Sequence, residues 1–357
     1  MTDWPFRPPL APMEARVRET LPEGSEWAYE PKWDGFRVLA WGGDVRLDSR
    51  NKRPLLRYFP ELEEPLRRLP EGTVVDGEVV VVTEDRLDFD ALSQRIHPAE
   101  SRIRLLAQET PAELIAFDML ASEGVDLISQ PYQRRRAALE SLASGWANDP
   151  VWHLTPMTTE LGVARRWFDE FEAAGCDGIV AKRLSDQYKP GERQMVKVKN
   201  RHTVDVVVGG YRLHKDGDKI GALLLGLYDE AGELHFVGHC ASFSEADRTA
   251  MLAQFRELET DASFGEHARR PEQEHRWAGQ RMTDGVPVDP IVVMEVSHDQ
   301  ITNWRFRHAS RFLRWRPDKD ATECGLDQLR RPGGAGLSAV LASPSVGNAP
   351  GVKGRVQ

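Results

Sequence analysis

Glu30-Pro31-Lys32-Trp33-Asp34-Gly35-Phe36-Arg37 is the stretch on which the fold turns. Residues 27–30 read as a strand, and residues 36–41 alternate as a second one. Asp34-Gly35 supplies a tight turn between them. Lys32 therefore sits at a strand–turn junction. A lysine in a turn is ordinarily solvated, and a lysine nucleophile is the competing reading. A free lysine titrates at about 10.4, so a nucleophilic one needs nearby cations or desolvation to shed its proton. What the rest of the chain carries decides between the two.

The 357 residues suffice for two or three domains. No apolar run approaches the roughly 20 residues of a membrane span. Met1-Thr2-Asp3-Trp4-Pro5 has neither the basic nor the apolar region of a signal peptide. Cys176, Cys240 and Cys324 form no CxxC pair and no zinc pattern, which points to a reducing cytoplasm. A net charge of −9 argues against a polyanion partner, but the charge is uneven. Residues 182–202 carry seven cations against two carboxylates, and residues 305–319 carry six against one. Two dense basic segments in an acidic chain suggest a local polyanion site; two solvated faces are the alternative.

Residues 1–25 are Pro-rich and are expected to wrap the surface. Strands are expected at residues 45–50, 73–82, 113–120, 177–183 and 194–199. Helices are expected at 60–69, from an Asp88 cap to Ile96, around Arg104, and at 132–142 and 159–174, the last ended by a left-handed Gly175. After Arg201, short strands at 204–211, 220–228 and 234–238 are joined by turns such as Asp216-Gly217. One helix, 244–258, follows, and strands return at 291–296 and near Arg305. This is the pattern of a small antiparallel barrel with one helix, compatible with an OB-fold. The expected organisation is α+β. Residues 1–201 form antiparallel sheets with flanking helices, 202–325 an OB-fold β-barrel, and 326–357 a disordered tail.

No Gly-Lys dipeptide occurs, which excludes a Walker-type phosphate loop, so any nucleotide must be held by side chains. Asp76-Gly77-Glu78 lies inside a valine run, where charges are costly unless paired or metal-bound. Lys197-Val198-Lys199 puts two like charges on one face of a strand, so either an anion lies between them or they form an exposed edge. Asp177-Gly178-Ile179-Val180-Ala181-Lys182 brackets an apolar strand with a carboxylate and a lysine, and Phe117-Asp118 ends another strand. A reactive lysine, carboxylates on separate strands and several cations are what nucleotidyl transfer to a lysine requires.

In this order the motifs resemble those of the lysine-dependent nucleotidyltransferases, specifically the ATP-dependent DNA ligases. Lys32 to Arg37 matches K-x-D-G-x-R, Ser49-Arg50 the second short motif, and Asp76-Gly77-Glu78 the D-G-E strand. Phe117-Asp118 fits the aromatic motif, Asp177 to Lys182 the E-G-I-V-A-K motif, and Lys197-Val198-Lys199 the K-x-K motif. Arg314-Trp315-Arg316-Pro317-Asp318-Lys319 matches the R-x-D-K motif of the C-terminal OB domain. The wording around Lys32 and over residues 93–102 is similar to the small C-type bacterial ligases and to the ligase module of D-type repair polyproteins. Two positions depart: Asp177 replaces glutamate, and Met195 replaces an aromatic residue.

The resemblance implies a role for each matching position. Lys32 is the residue adenylated. Glu30 selects adenine through its N6 amino group, with Phe117 stacked on one face of the base and Val180 on the other. Arg37 and Arg50 touch ribose or the DNA 5′-phosphate. Glu78 and Asp177 bind or orient a divalent metal, Mg2+ or Mn2+. Lys197 and Lys199 grip the AMP phosphate, and Arg314, Arg316 and Lys319 swing in with the OB domain to orient the pyrophosphate. The implied substrates are ATP and nicked or gapped double-stranded DNA, the implied setting a cytoplasmic monomer at the nucleoid, and the suggested protein partners a primase-polymerase or Ku. A capping enzyme fits Glu30 and Trp33 poorly. An NAD-dependent ligase needs a cysteine zinc site that three scattered cysteines cannot supply. An RNA ligase would share Lys32, and a non-catalytic OB-type DNA-binding protein has no use for Glu78, Asp177 and both K-x-K lysines.

Overall fold

The computed structural model describes residues 4–147, 149–265, 285–302, 304–329 and 333–344. The chain divides into two compact units, Met1–Asn200 with Pro332–Gln357, and Arg201–Arg331.

The first unit is built on two sheets. The smaller has the order β1-β11-β10-β2, with β1 Glu14–Val17, β2 Trp27–Pro31, β10 Gly178–Arg183 and β11 Arg193–Lys199. The larger runs β4-β3-β5-β7-β8, from β3 Phe36–Trp41, β4 Arg46–Ser49, β5 Val74–Thr83, β7 Ala112–Ser122 and β8 Val125–Asp126. The short strands β6 Arg86–Leu87 and β9 Trp152–Leu154 attach to β5 and β7. β5 lies inside its sheet and is buried along most of its length, which is why it reads as nearly continuous valine. Helices α1 Glu63–Arg67, α2 Phe89–Gln94, α3 Glu100–Glu109, α4 Tyr132–Ala143 and α5 Leu161–Glu170 flank the sheets. Asp88 caps α2 through the Ala91 amide as expected, and Gly175 takes the left-handed φ of +92° beyond α5.

Register aligns the candidate residues. Glu30 pairs with Val180, and Val180 with Lys197, so one rung crosses β2, β10 and β11. Arg37 pairs with Glu78 across β3 and β5. Residues on one rung project to one face, so strand pairing alone gathers chemistry from distant parts of the sequence.

Two expectations need correction. The Pro-rich N-terminus does more than wrap the surface: β1 pairs in parallel with β11, Val17 facing Lys197, and Met13 is buried in the core. The segment after 325, expected to be disordered, is ordered over its described part. Residues Leu326–Leu329 form a 3-10 turn whose Leu329 joins the core of the second unit. Helix α7, Leu337–Leu341, then packs on the first unit. Its Leu337 and Val340, three residues apart on one face, enter the cluster holding Leu87, Trp167 and Phe171. The Leu337 amide donates to the Asp85 carbonyl at 2.7 Å, and the Ser338 amide and hydroxyl donate to its carboxylate at 2.8 and 2.6 Å. Residues 345–357 lie outside the described residues.

The second unit contains β12 His202–Leu213, β13 Ile220–Tyr228, β14 Leu234–Cys240, helix α6 Glu245–Arg256, β15 Val286–Pro287, β16 Val293–His298, β17 Ile301–Thr302, β18 Arg305–Phe306 and β19 Arg311–Trp315. Its main sheet has the antiparallel order β14-β13-β12-β16-β19. A bridge from Cys240 to Ser310 brings β14 back towards β19, as a closed barrel requires. Val206, Val208, Leu223, Leu225 and Val237 fill the interior, and α6 adds Met251 and Phe255. This is the OB-fold barrel expected from the strand pattern.

Candidate active site

A pocket in the first unit is lined by Lys32, Trp33, Glu30, Arg37, Arg50, Glu78, Phe117, Val180, Lys182, Met195 and Lys197, among others. It draws residues from both sheets.

Lys32 is fixed by its backbone as well as by its side chain. Its amide donates to the Gly178 carbonyl and its carbonyl accepts from the Asp177 amide, both at 2.8 Å. Gly178 has φ +124°, and a Cβ there would lie 2.0 Å from the Val198 carbonyl oxygen, so only glycine permits this approach. The Lys32 amine meets Asp177 Oδ2 at 2.7 Å, and the Lys199 amine meets the same oxygen at 3.0 Å. Burial lowers the pKa of Lys197, and repulsion from Lys32 and Lys199 lowers it further. Lys32 and Lys199 thus share one carboxylate, with Lys197 close enough to feel both charges, an arrangement suited to a phosphate.

The carboxylates fit a divalent cation. Asp177 is buried, and its Oδ1 has no hydrogen-bond partner among the described residues. Glu78, which lines the same pocket, is pushed up to about 7 by burial, against the pull of Arg37 and Lys32. Hard oxygen donors of this kind suit Mg2+ or Mn2+.

Arg37 is committed within the protein. It makes a bidentate pair with buried Asp76 at 2.6 and 2.7 Å and donates to the Met13 carbonyl at 3.1 Å. Tyr188 donates to the same Asp76 at 2.6 Å. The charge in the first position of D-G-E is therefore an internal anchor for Arg37, while Glu78 lines the pocket. The Arg37 guanidinium also lies 4.7 Å from the centre of the Phe117 ring. Arg50 pairs with Glu14 of β1 at 3.0 Å and is more than half exposed.

Glu30 and Phe117, which also line the pocket, share a buried polar network. Lys182 meets Glu30 Oε2 at 2.7 Å and donates to the Phe117 carbonyl at 2.8 Å. Tyr132 donates a hydrogen bond to Glu30 Oε1, and Arg136 lies 3.7 Å from that oxygen. Next to Phe117, Asp118 is held by Arg135 at 2.8 and 3.0 Å. Reasoning from sequence missed Tyr132, Arg135 and Arg136. They occupy the buried face of α4, where polar residues at this spacing look like any amphipathic helix. A lysine closing an apolar strand was the available signal for Lys182.

Arg314, Arg316 and Lys319 belong to the second unit. Arg314 pairs with Glu295 at 2.6 Å. Arg316 grips Asp205 with two bonds of 2.8 Å and also pairs with Asp318, and Lys319 meets Asp205 at 2.9 Å. Asp205 is thus the shared counter-ion of both motif cations, a role not legible beforehand.

Residues 8–199 match the family described as ATP dependent DNA ligase domain, and residues 216–319 match ATP dependent DNA ligase C terminal region. DNA ligase C of Mycobacterium tuberculosis is 45% identical over 94% of this chain and 98% of its own length. The multifunctional non-homologous end joining DNA repair protein LigD of the same organism is 33% identical over 84% of this chain, which spans 37% of that protein. A solved Lig E DNA ligase superposes with a TM-score of 0.55 at 16% identity, covering 85% of this chain and 99% of its own, which supports the fold. Matched by two successive ligase regions, and aligned almost end to end with a DNA ligase, the chain belongs to the ATP-dependent DNA ligase family.

Proposed function

We infer that this ATP-dependent DNA ligase joins a 5′-phosphate to a 3′-hydroxyl through a lysyl-AMP at Lys32. The observation that carries the reading is the Lys32 amine, held at 2.7 Å from Asp177, which also meets Lys199 at 3.0 Å, in a pocket that Phe117, Val180 and Lys197 line as well. In the first step the Lys32 nitrogen forms a bond to the α-phosphorus of ATP, and the bond to the bridging oxygen of pyrophosphate breaks. Asp177 Oδ2 orients the amine and is placed to receive its proton. In the second step a DNA 5′-phosphate oxygen displaces Lys32 from AMP. In the third the 3′-hydroxyl attacks the activated 5′-phosphate, and AMP leaves.

Phe117 and Val180 bracket the base, Glu30 accepts from its amino group, and Lys197 and Lys199 hold the α-phosphate. Glu78 and Asp177 would hold a divalent metal, which would supply positive charge to the site. Arg37 serves from its fixed position on Asp76, and Arg50 is exposed for a phosphate. Arg314, Arg316 and Lys319 orient pyrophosphate during the first step, which requires the OB domain to move between steps.

The substrate is nicked or gapped duplex DNA, and the setting is repair in the bacterial cytoplasm, by a monomer. A primase-polymerase or Ku is a partner of the kind that the likeness to an end-joining repair protein suggests. No described helix is long and apolar enough to cross a membrane. The test is covalent labelling with ATP radiolabelled in the α position. Label must stay on the wild-type protein through denaturation and be absent from Lys32→Ala. Equal labelling of both removes the lysyl-AMP assignment.

A further inference from the structure

Glu30 is one of the most heavily braced carboxylates in the molecule. It is 2% exposed, and the groups around it are equally buried: Tyr132 at 1%, Arg136 at 2% and Lys182 at 3%. Of these, Glu30 and Lys182 line the pocket, and α4 supplies Tyr132 and Arg136 from one face, four residues apart. Each braces Glu30 differently. Lys182 takes Oε2 at 2.7 Å and ties it to the Phe117 carbonyl at 2.8 Å, so the carboxylate and the ring are set relative to each other. The Lys182 ammonium also lies 4.9 Å from the centre of the Phe117 ring and 4.7 Å from that of Tyr132. Tyr132 takes Oε1. Arg136 is itself anchored, at 2.9 Å on the Thr155 carbonyl and 2.8 Å on Glu140.

We propose that Tyr132 and Arg136 are positioning residues for base selection: they lock Glu30 so that it presents only acceptor lone pairs, at one angle, to the edge of the purine. This rests on Glu30 reading the base. A carboxylate ion-paired to lysine has no proton to offer, so it accepts from a 6-amino group and repels a 6-oxo group. Discrimination of this kind depends on the carboxylate being unable to rotate away from the wrong base. Burial, aided by the Glu30 charge, raises the Tyr132 phenol well above its usual value, so Tyr132 remains a donor throughout the working pH range.

The experiment measures equilibrium binding of ATP and of ITP to the full chain in a Lys32→Ala background, where no covalent adduct forms. Quenching of tryptophan fluorescence gives both Kd values, since Trp33 lines the pocket. The readout is the ratio of the two constants. Glu30→Gln should narrow the preference for ATP, and Tyr132→Phe should narrow it by about tenfold or more, the scale of one hydrogen bond to a charged group. Arg136→Lys keeps a cation but not the fork, and should narrow it as well. Thermal melting without nucleotide identifies any variant that fails to fold, and the ratio is then read from the other. Equal weakening of ATP and ITP, or an unchanged ratio in the folded variants, overturns the inference. If Glu30→Gln narrows the ratio and the α4 variants do not, only the positioning role fails. If Glu30→Gln leaves the ratio unchanged, the reading of Glu30 fails and this inference with it.

Discussion

Replacing Glu78 by glutamine removes one titrating group from the pocket and leaves its shape. The ordinary value for this carboxyl is 4.5, and in the folded protein burial pushes it up to about 7. The folded protein therefore binds the Glu78 proton more tightly than the unfolded chain does. The sign follows: this stabilising contribution is complete below the unfolded value and is lost as pH rises through the folded one. At about 1.36 kcal/mol per pH unit the full loss is roughly 3 kcal/mol, most of it between about pH 5 and pH 8. Glu78 is partly open to the pocket, so this is an upper bound. The assay is urea unfolding in EDTA at those two pH values. Wild type should lose roughly 2 kcal/mol more than Glu78→Gln on going to the higher pH. A divalent metal should restore much of that loss in wild type and little in the variant. Parallel pH dependences for the two proteins would refute the reasoning, because they would mean that Glu78 pays no burial penalty on ionising.

Four further outcomes are expected. Lys32→Arg keeps the charge and loses the nucleophile, so self-labelling should fall at least about a hundredfold while sealing of a pre-adenylated nick partly survives; gel assays of both steps check it. Asp177→Glu should retain more self-adenylation than Asp177→Ala, which leaves Lys32 and Lys199 facing each other without their shared counter-ion; the two initial rates compared at saturating metal decide it. Arg316→Ala and Lys319→Ala should each impair adenylation about tenfold or more, and more than sealing of a pre-adenylated nick. Because both pair with Asp205, the double variant should cost less than the sum of the two, measured as step-resolved rates. Leu337→Ala should lower the stability of the first unit by about 2–3 kcal/mol and speed proteolysis near the C-terminus, read by melting and timed digestion.

Much of the site was legible because its chemistry sits on strands with strong local signals. Lys32 lies between two alternating segments, Glu78 interrupts a valine run, and Lys197 and Lys199 share one strand face. Pairing then brings them together without further instruction. The missed parts lack a local signature. β1 is four residues long and finds its partner about 180 positions away, so nothing in its own composition marks it as a strand. Arg37 carries the same letter whether it faces a ligand or Asp76, and only the buried carboxylate and Tyr188 behind it settle which. The tail from 326 is poor in apolar residues, yet Leu337 and Val340 suffice because an apolar groove and the Asp85 turn await them. Composition averaged over a segment hides two residues that matter.

The return of the chain to the first unit has a topological consequence. The barrel is not a pendant at the end of a string. It is an insertion with a mooring at each end: one where β11 passes into β12, the other where Leu329 is followed, a few residues on, by the segment leading into α7. A single cut inside the barrel therefore leaves both fragments attached to the first unit, so a nicked protein should migrate intact until it is denatured.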